Sequence, residues 1–137
     1  MPQIFKELIF KTSNKVFLDI TNEIIDVISY NSVNNALVNL SIMHTSCSLL
    51  IQENADPSVQ KDIKDFLNTI APEKEYFHKS EGPDDMPAHL KSLLTQTHLS
   101  LSVKNKKLIL GKWQGIFLIE HRVAPHKRRV LVHILEV

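Results

Sequence analysis

Imidazoles and carboxylates gathered at the ends of apolar runs are what this chain of 137 residues offers to chemistry. They fall into five short clusters: Met43-His44-Thr45-Ser46, Gln52-Glu53-Asn54-Ala55-Asp56-Pro57, Phe77-His78, Asp84-Asp85-Met86-Pro87-Ala88-His89 and Leu110-Gly111-Lys112-Trp113-Gln114-Gly115. Side chains of these types can ligate a metal or exchange protons. Seven histidines are many for the length.

His78 and His89 bracket Glu81, Asp84 and Asp85 in an irregular stretch. Two imidazoles and three carboxylates there could wrap a divalent cation or a metal–diphosphate complex. The same residues also suit a plainer arrangement, with Asp84 or Asp85 capping a helix that begins near Ala88 and His89 on its first turn. His44 closes an apolar run, where its ring either turns to backbone or joins the site. Glu53 is the residue between strand and helix that a cap does not require, whereas Asp56 is a natural cap and Asn54 a turn residue. The helix N-terminus they precede suits an anion. Trp113 and Gln114 could stack on and hydrogen-bond a planar heterocycle, or the indole could simply plug the end of a sandwich. Glu120 to Arg129 reads as a solvated hairpin tip in which one arginine could grip phosphate. Cys47, among hydroxyls and leucines, reads as a small core residue, and His98 as ordinary surface.

These residues need elements to position them. Residues 3–12 alternate as a strand, residues 16–18 fit a second, and Thr21 looks like the cap of a short helix carrying Ile24, Ile25, Val27 and Ile28. Residues 36–43 and 48–52 read as buried strands. Asp56-Pro57 starts a helix that carries Val59, Ile63, Phe66, Leu67 and Ile70 to Pro72. A short helix over 88–94 is expected to turn Leu90, Leu93 and Leu94 inward. Strands over 99–103, 115–121 and 129–137 finish the chain, with Asn105-Lys106 turning the first of them towards 108–110. Strands and helices in no βαβ rhythm predict an α+β, mainly antiparallel β-sandwich-like single domain over residues 1–137, with two or three helices.

Composition narrows the function classes. An apolar fraction of 43% and a charged fraction of 23% are ordinary for a globular protein. A formal charge of +1 lacks the basic excess of nucleic-acid binders. No run approaches the length of a membrane span. The opening residues lack a signal-peptide layout, and the single cysteine cannot form an internal disulfide, so a cytoplasmic location is expected.

His44-Thr45-Ser46, Gln52 to Pro57, His78, Asp84 to His89, Leu108 to Gln114 and Glu120-His121-Arg122 follow one another in the order of a known family. The chain resembles the YjbQ-like proteins, often labelled secondary thiamine-phosphate synthase-type. That resemblance implies a sandwich-like α+β fold, a homotrimer, and a pocket lined by His44, His78 and His89. It implies weak joining of a hydroxymethylpyrimidine diphosphate to a thiazole phosphate, with release of pyrophosphate. On this reading His44, His78 and His89 are the metal ligands for zinc or magnesium. Glu53, Asp84 and His44 are the catalytic candidates, and Trp113, Gln114 and Lys112 bind a small phosphorylated substrate. The alternatives are a non-catalytic binder of metal or phosphometabolite, and a metal-assisted hydrolase. The chain departs from the family pattern at Lys112, where threonine is usual, and at Lys106, where glycine is usual.

Overall fold

Alternating apolar positions build the larger of two antiparallel sheets in the computed structural model, which describes residues 2–137. The eleven elements in chain order are β1 (Gln3–Thr12), β2 (Phe17–Asp19), α1 (Thr21–Tyr30), β3 (Ala36–Ile42), β4 (Cys47–Glu53), α2 (Pro57–Ile70), α3 (Asp85–Leu94), β5 (His98–Lys104), β6 (Lys107–Leu108), β7 (Gln114–Glu120) and β8 (His126–Glu136). The five-stranded sheet runs β1-β8-β3-β5-β6 and the three-stranded sheet β2-β7-β4. This is the α+β, sandwich-like architecture expected, with three helices.

Register explains the core. Val38 faces Ile134 and Leu101 across its two neighbours, and Leu40 faces Val132 and Leu99. All these side chains are buried on one face of the large sheet, because successive residues of a strand point to opposite faces. β7 breaks the alternation, with every residue from Gly115 to Glu120 buried. Ile116 and Leu118 join the inter-sheet core, while Phe117 meets Phe17 at 6.4 Å between ring centroids on the other side. A strand covered on both faces reads as a continuous apolar run. Ile24, Val27 and Ile28 bring α1 into the same core.

Helix details depart from the periodic reading. Thr21 is the first helical residue rather than the cap; its hydroxyl donates to Asp19 at 2.5 Å and accepts the Ile116 N–H at 2.9 Å, which ties α1 to β7. Asp56 caps α2 by accepting the Ser58 N–H at 2.9 Å. Of the apolar row on α2 only Leu67 is buried, and Phe66 and Ile70 face solvent. On α3, Leu93 and Leu94 are exposed, and Ala88, Lys91 and Ser92 take the inward face. The Ser92 hydroxyl donates to the Cys47 carbonyl at 3.3 Å, so packing against β4 selects the helix phase. The β5–β6 turn passes through Asn105 and Lys106 at φ 52° and 70°, the left-handed pair that a tight hairpin requires.

Two buried polar groupings clamp the junction between the sheets. Glu120 is fully buried and accepts from Thr12 Oγ1 at 2.5 Å, from Arg128 Nε at 2.7 Å and Nη2 at 2.5 Å, and from the Arg122 N–H at 3.0 Å. Burial alone would raise the Glu120 carboxyl, but the Arg128, Thr12 and Arg122 hydrogen bonds outweigh it and hold it below the usual range. Nearby, His121 Nε2 lies 2.8 Å from the Ser48 hydroxyl. That hydroxyl accepts a hydrogen bond from Thr95 Oγ1 at 2.5 Å. Burial, helped by the charge of Lys91, pulls His121 down to about 3.

Removing one side of the buried pair leaves a charge without a partner. Arg128→Ala should cost about 3–5 kcal/mol in denaturant unfolding, and the paired change Glu120→Leu with Arg128→Met should cost much less. Equal losses in the two variants would contradict that account. His121 binds its proton more readily in the unfolded chain, so its contribution is complete above about pH 6.5 and is lost as pH falls towards about 3. Stability measured between pH 7 and pH 5 should fall by up to about 1.4 kcal/mol per pH unit on this account. His121→Gln should flatten that slope.

Candidate metal centre

The first turn of α3 and the loop before it converge on one carboxylate. Asp85 Oδ2 lies 2.6 Å from His78 Nε2 and 3.1 Å from His89 Nε2. The three ligand atoms of His78, Asp85 and His89 all lie within 4.8 Å of one another. Asp85 and His89 are one helical turn apart, which puts both on one face of α3. His78 is delivered by the loop, with its ring 5.3 Å from that of His89. Asp85 is buried, while both imidazoles reach solvent.

Neighbouring groups hold these ligands in place. Arg122 Nη1 donates to Asp85 Oδ1 at 2.8 Å, leaving Oδ2 for the histidines. Arg122 also donates from Nε to Asp84 Oδ1 at 3.2 Å and from Nη2 to the Glu81 carbonyl at 2.8 Å. Asp84 Oδ2 accepts the Val123 N–H at 2.9 Å. Asp84 sits at the helix cap position without capping it, because its oxygens are committed to Arg122 and Val123. Burial alone would raise the Asp85 carboxyl, but the His78 hydrogen bond and the His89 and Arg122 charges hold it below the usual range.

His89 fixes the electrostatics of the cluster. Its Nδ1 lies 2.8 Å from the Thr45 carbonyl oxygen, which can only accept, so Nδ1 carries a proton. In a neutral ring Nε2 is then a lone pair, and it faces a carboxylate oxygen at 3.1 Å. Two acceptors at that distance repel unless a second proton or a cation lies between them. Two imidazole nitrogens and one carboxylate oxygen suit zinc and other divalent transition ions. The donor set therefore fits a metal, and the backbone bond on Nδ1 is the kind of outer support that orients a ligating histidine.

The other residues singled out from sequence occupy two further places. His44 is near this end of the sheets, but its Nε2 accepts the Arg129 N–H at 2.8 Å and it lies outside the three-residue cluster. Burial, with the charges of Arg128 and Arg129, holds His44 below its ordinary value. Glu53, Lys112, Trp113 and Gln114 lie at the opposite end of the small sheet. Glu53 pairs with Gln114, whereas Cys47, beside the cluster, pairs with Glu120. Six residue steps along the strand separate the two ends, about 20 Å at the usual rise. There the Gln114 side-chain oxygen accepts the Gly111 N–H at 2.6 Å, and Lys112 Nζ sits 4.8 Å from the centre of its neighbour's indole. Trp113 is 56% exposed. Asp85, one of the three carboxylates expected between the histidines, is the one that joins them, and Arg122, expected in a solvated hairpin tip, holds it in place.

Comparison with known proteins agrees with this architecture. The model of the family described as UPF0047 protein YjbQ-like matches residues 6–137. UPF0047 protein sll1880 of Synechocystis is 43% identical over 129 residues, 93% of this chain and 88% of the relative. UPF0047 protein YjbQ of Escherichia coli O157:H7 is 39% identical, covering 92% of this chain and 93% of that protein. Among solved structures, an uncharacterized conserved protein of the yjbq/upf0047 family from Clostridium acetobutylicum superposes with a TM-score of 0.87 at 34% identity, over 95% of this chain and 99% of its own. With matches this extensive, the chain belongs to the UPF0047 YjbQ-like family.

Proposed function

We propose that the protein is a metal-dependent enzyme acting on a small phosphorylated metabolite, with His78, Asp85 and His89 as the metal ligands. The observation that carries this reading is His89, whose Nδ1 donates its proton to the Thr45 carbonyl while its Nε2 faces an Asp85 carboxylate oxygen 3.1 Å away. Zinc or magnesium are the candidate ions, and the nitrogen-rich donor set favours zinc. Such an ion supplies a positive charge that stabilises developing charge on phosphate oxygens.

The finer reading is a thiamine-phosphate synthase-like transfer, in which a hydroxymethylpyrimidine diphosphate joins a thiazole phosphate and pyrophosphate leaves. Protein groups in such a displacement chiefly position reactants and stabilise the leaving group. Arg122 keeps Asp85 Oδ2 directed at the histidines. His44, with Nε2 spent on backbone, offers Nδ1 to the reactants. Asp84, paired with Arg122, acts as a positioning residue. Glu53 as general base, with Trp113, Gln114 and Lys112 on the heterocycle, would act across subunits, since about 20 Å separates them from the cluster within one chain. A homotrimer in the cytoplasm is the proposed setting.

Metal-assisted hydrolysis is the second reading, favoured by a cluster with only three protein ligands, which leaves positions for water. Hydrolysis of a simple phosphate ester without a pyrimidine partner, abolished by the histidine substitutions, would select it over transfer.

Elemental analysis tests the metal. Purified wild type should carry near-stoichiometric divalent metal, and His78→Ala/His89→Ala should lose it while keeping its circular dichroism. Equal metal in both proteins would refute the assignment. Arg122→Gln should weaken metal affinity about 10–100-fold through the freed Asp85. Co-expressing a Glu53→Ala chain with a His89→Ala chain should restore part of the turnover that each lacks alone. Failure of mixed assemblies to recover activity would place the two ends in separate roles.

A further inference from the structure

Lys91 occupies the inward face of α3 and is 4% exposed. Its ammonium donates to Asn68 Oδ1 at 2.5 Å, which uses one of three donors. No carboxylate lies within ion-pair distance among the described residues. Lys15 and Lys64, both half-buried and equally without ion pairs, line the same narrow crevice with Phe17, Asn68 and His121. The space between them, about 10 Å³, admits roughly one water-sized group. Phe17 and Lys64 also line a wider cleft of about 620 Å³ between the β1–β2 turn and α2, to which Lys11 and Lys61 contribute.

The only acid on either wall is Glu120, and its oxygens are taken by Arg128, Thr12 and the Arg122 N–H. It therefore does not neutralise Lys15, Lys64 or Lys91, whereas Lys61 of the outer cleft pairs with Asp65 at 3.3 Å. Like charges brought together with partial loss of water destabilise the fold unless an anion joins them. The aliphatic stems and Phe17 shape the walls, and Lys64 Nζ stands 5.6 Å from the Phe17 ring centre.

The geometry points to an anion site in this lysine-lined cleft, built for a diphosphate group whose terminal oxygens reach Lys91 while its body lies in the outer cleft. A single carboxylate carries too little charge to engage Lys15, Lys64 and Lys91 together. Nucleic acid would need an open basic stripe, whereas the most buried lysine here lines a narrow crevice. The site shares no residue with the His78–Asp85–His89 cluster, and it stands whether or not that cluster holds metal.

Titration calorimetry in excess EDTA, with inorganic pyrophosphate as the probe, tests the site on the full chain. Wild type should bind, Lys64→Ala and Lys91→Met should each bind about tenfold more weakly, and His78→Ala/His89→Ala should match wild type. Lys91→Met should also melt at a higher temperature than wild type without pyrophosphate and gain less from adding it. Adenosine diphosphate as a second probe identifies the source: tighter than pyrophosphate means an esterified diphosphate, weaker means the free anion. No binding by wild type, or undiminished binding by both lysine variants, would overturn the inference. Loss of binding only in the histidine variant would overturn it too, while supporting phosphate capture at the cluster. A single-stranded oligonucleotide binding more tightly than pyrophosphate would replace it with an extended polyanion surface.

Discussion

The buried pair of Glu120 and Arg128 is the constraint around which both sheets arrange themselves. Glu120 ends β7 and Arg128 lies near the start of β8, so the pair spans the connection between the small sheet and the large one. Thr12 adds the end of β1, and Arg128 Nη2 reaches the Ser46 carbonyl and hydroxyl at 3.2 and 3.0 Å. Four chain segments thus meet at one carboxylate–guanidinium contact. Burying two charges costs several kcal/mol each before attraction offsets it, so the arrangement contributes less to net stability than to uniqueness. Every oxygen and nitrogen must find its partner, and few alternative registers let them do so.

The candidate metal centre inherits its geometry from that junction. The Arg122 N–H is bound by Glu120, and the Arg122 side chain then reaches over to Asp84 and Asp85. Thr45, whose carbonyl sets the His89 tautomer, precedes the Ser46 held by Arg128. The supports of the ligands are therefore backbone and arginine contacts anchored in the sheet ends, although His78 itself comes from a loop. Exposed imidazoles on a buried carboxylate combine access for a ligand with a rigid base, which sites for bound metals require.

Much of this was legible in the sequence because it depends on local pattern. Alternation marked β1, β3 and β8, Asp56-Pro57 marked the start of α2, and Asn105-Lys106 marked a hairpin turn. The clusters at element ends did contain the residues that converge. What escaped was decided by distant contacts. Leu93 and Leu94 fit an inward row as well as Lys91 and Ser92 do, and only packing on β4 chooses between them. Asp84 and Asp85 are chemically identical neighbours, yet helical rotation sends one to Arg122 and Val123 and the other to the histidines as well. Trp113 and His89 are both residues of clustered polar character, but the length of β4 and β7 holds them at opposite ends of one sheet.

That separation gives the molecule a built-in optical reporter. Trp113 is the chain's single tryptophan, and its indole is more than half exposed at the end of the small sheet remote from the imidazoles. Its emission therefore arises from one wet location and carries no background from the folded interior. Whatever covers that sheet end, whether a heterocycle or an adjoining subunit, displaces water from the ring and moves the spectrum to the blue.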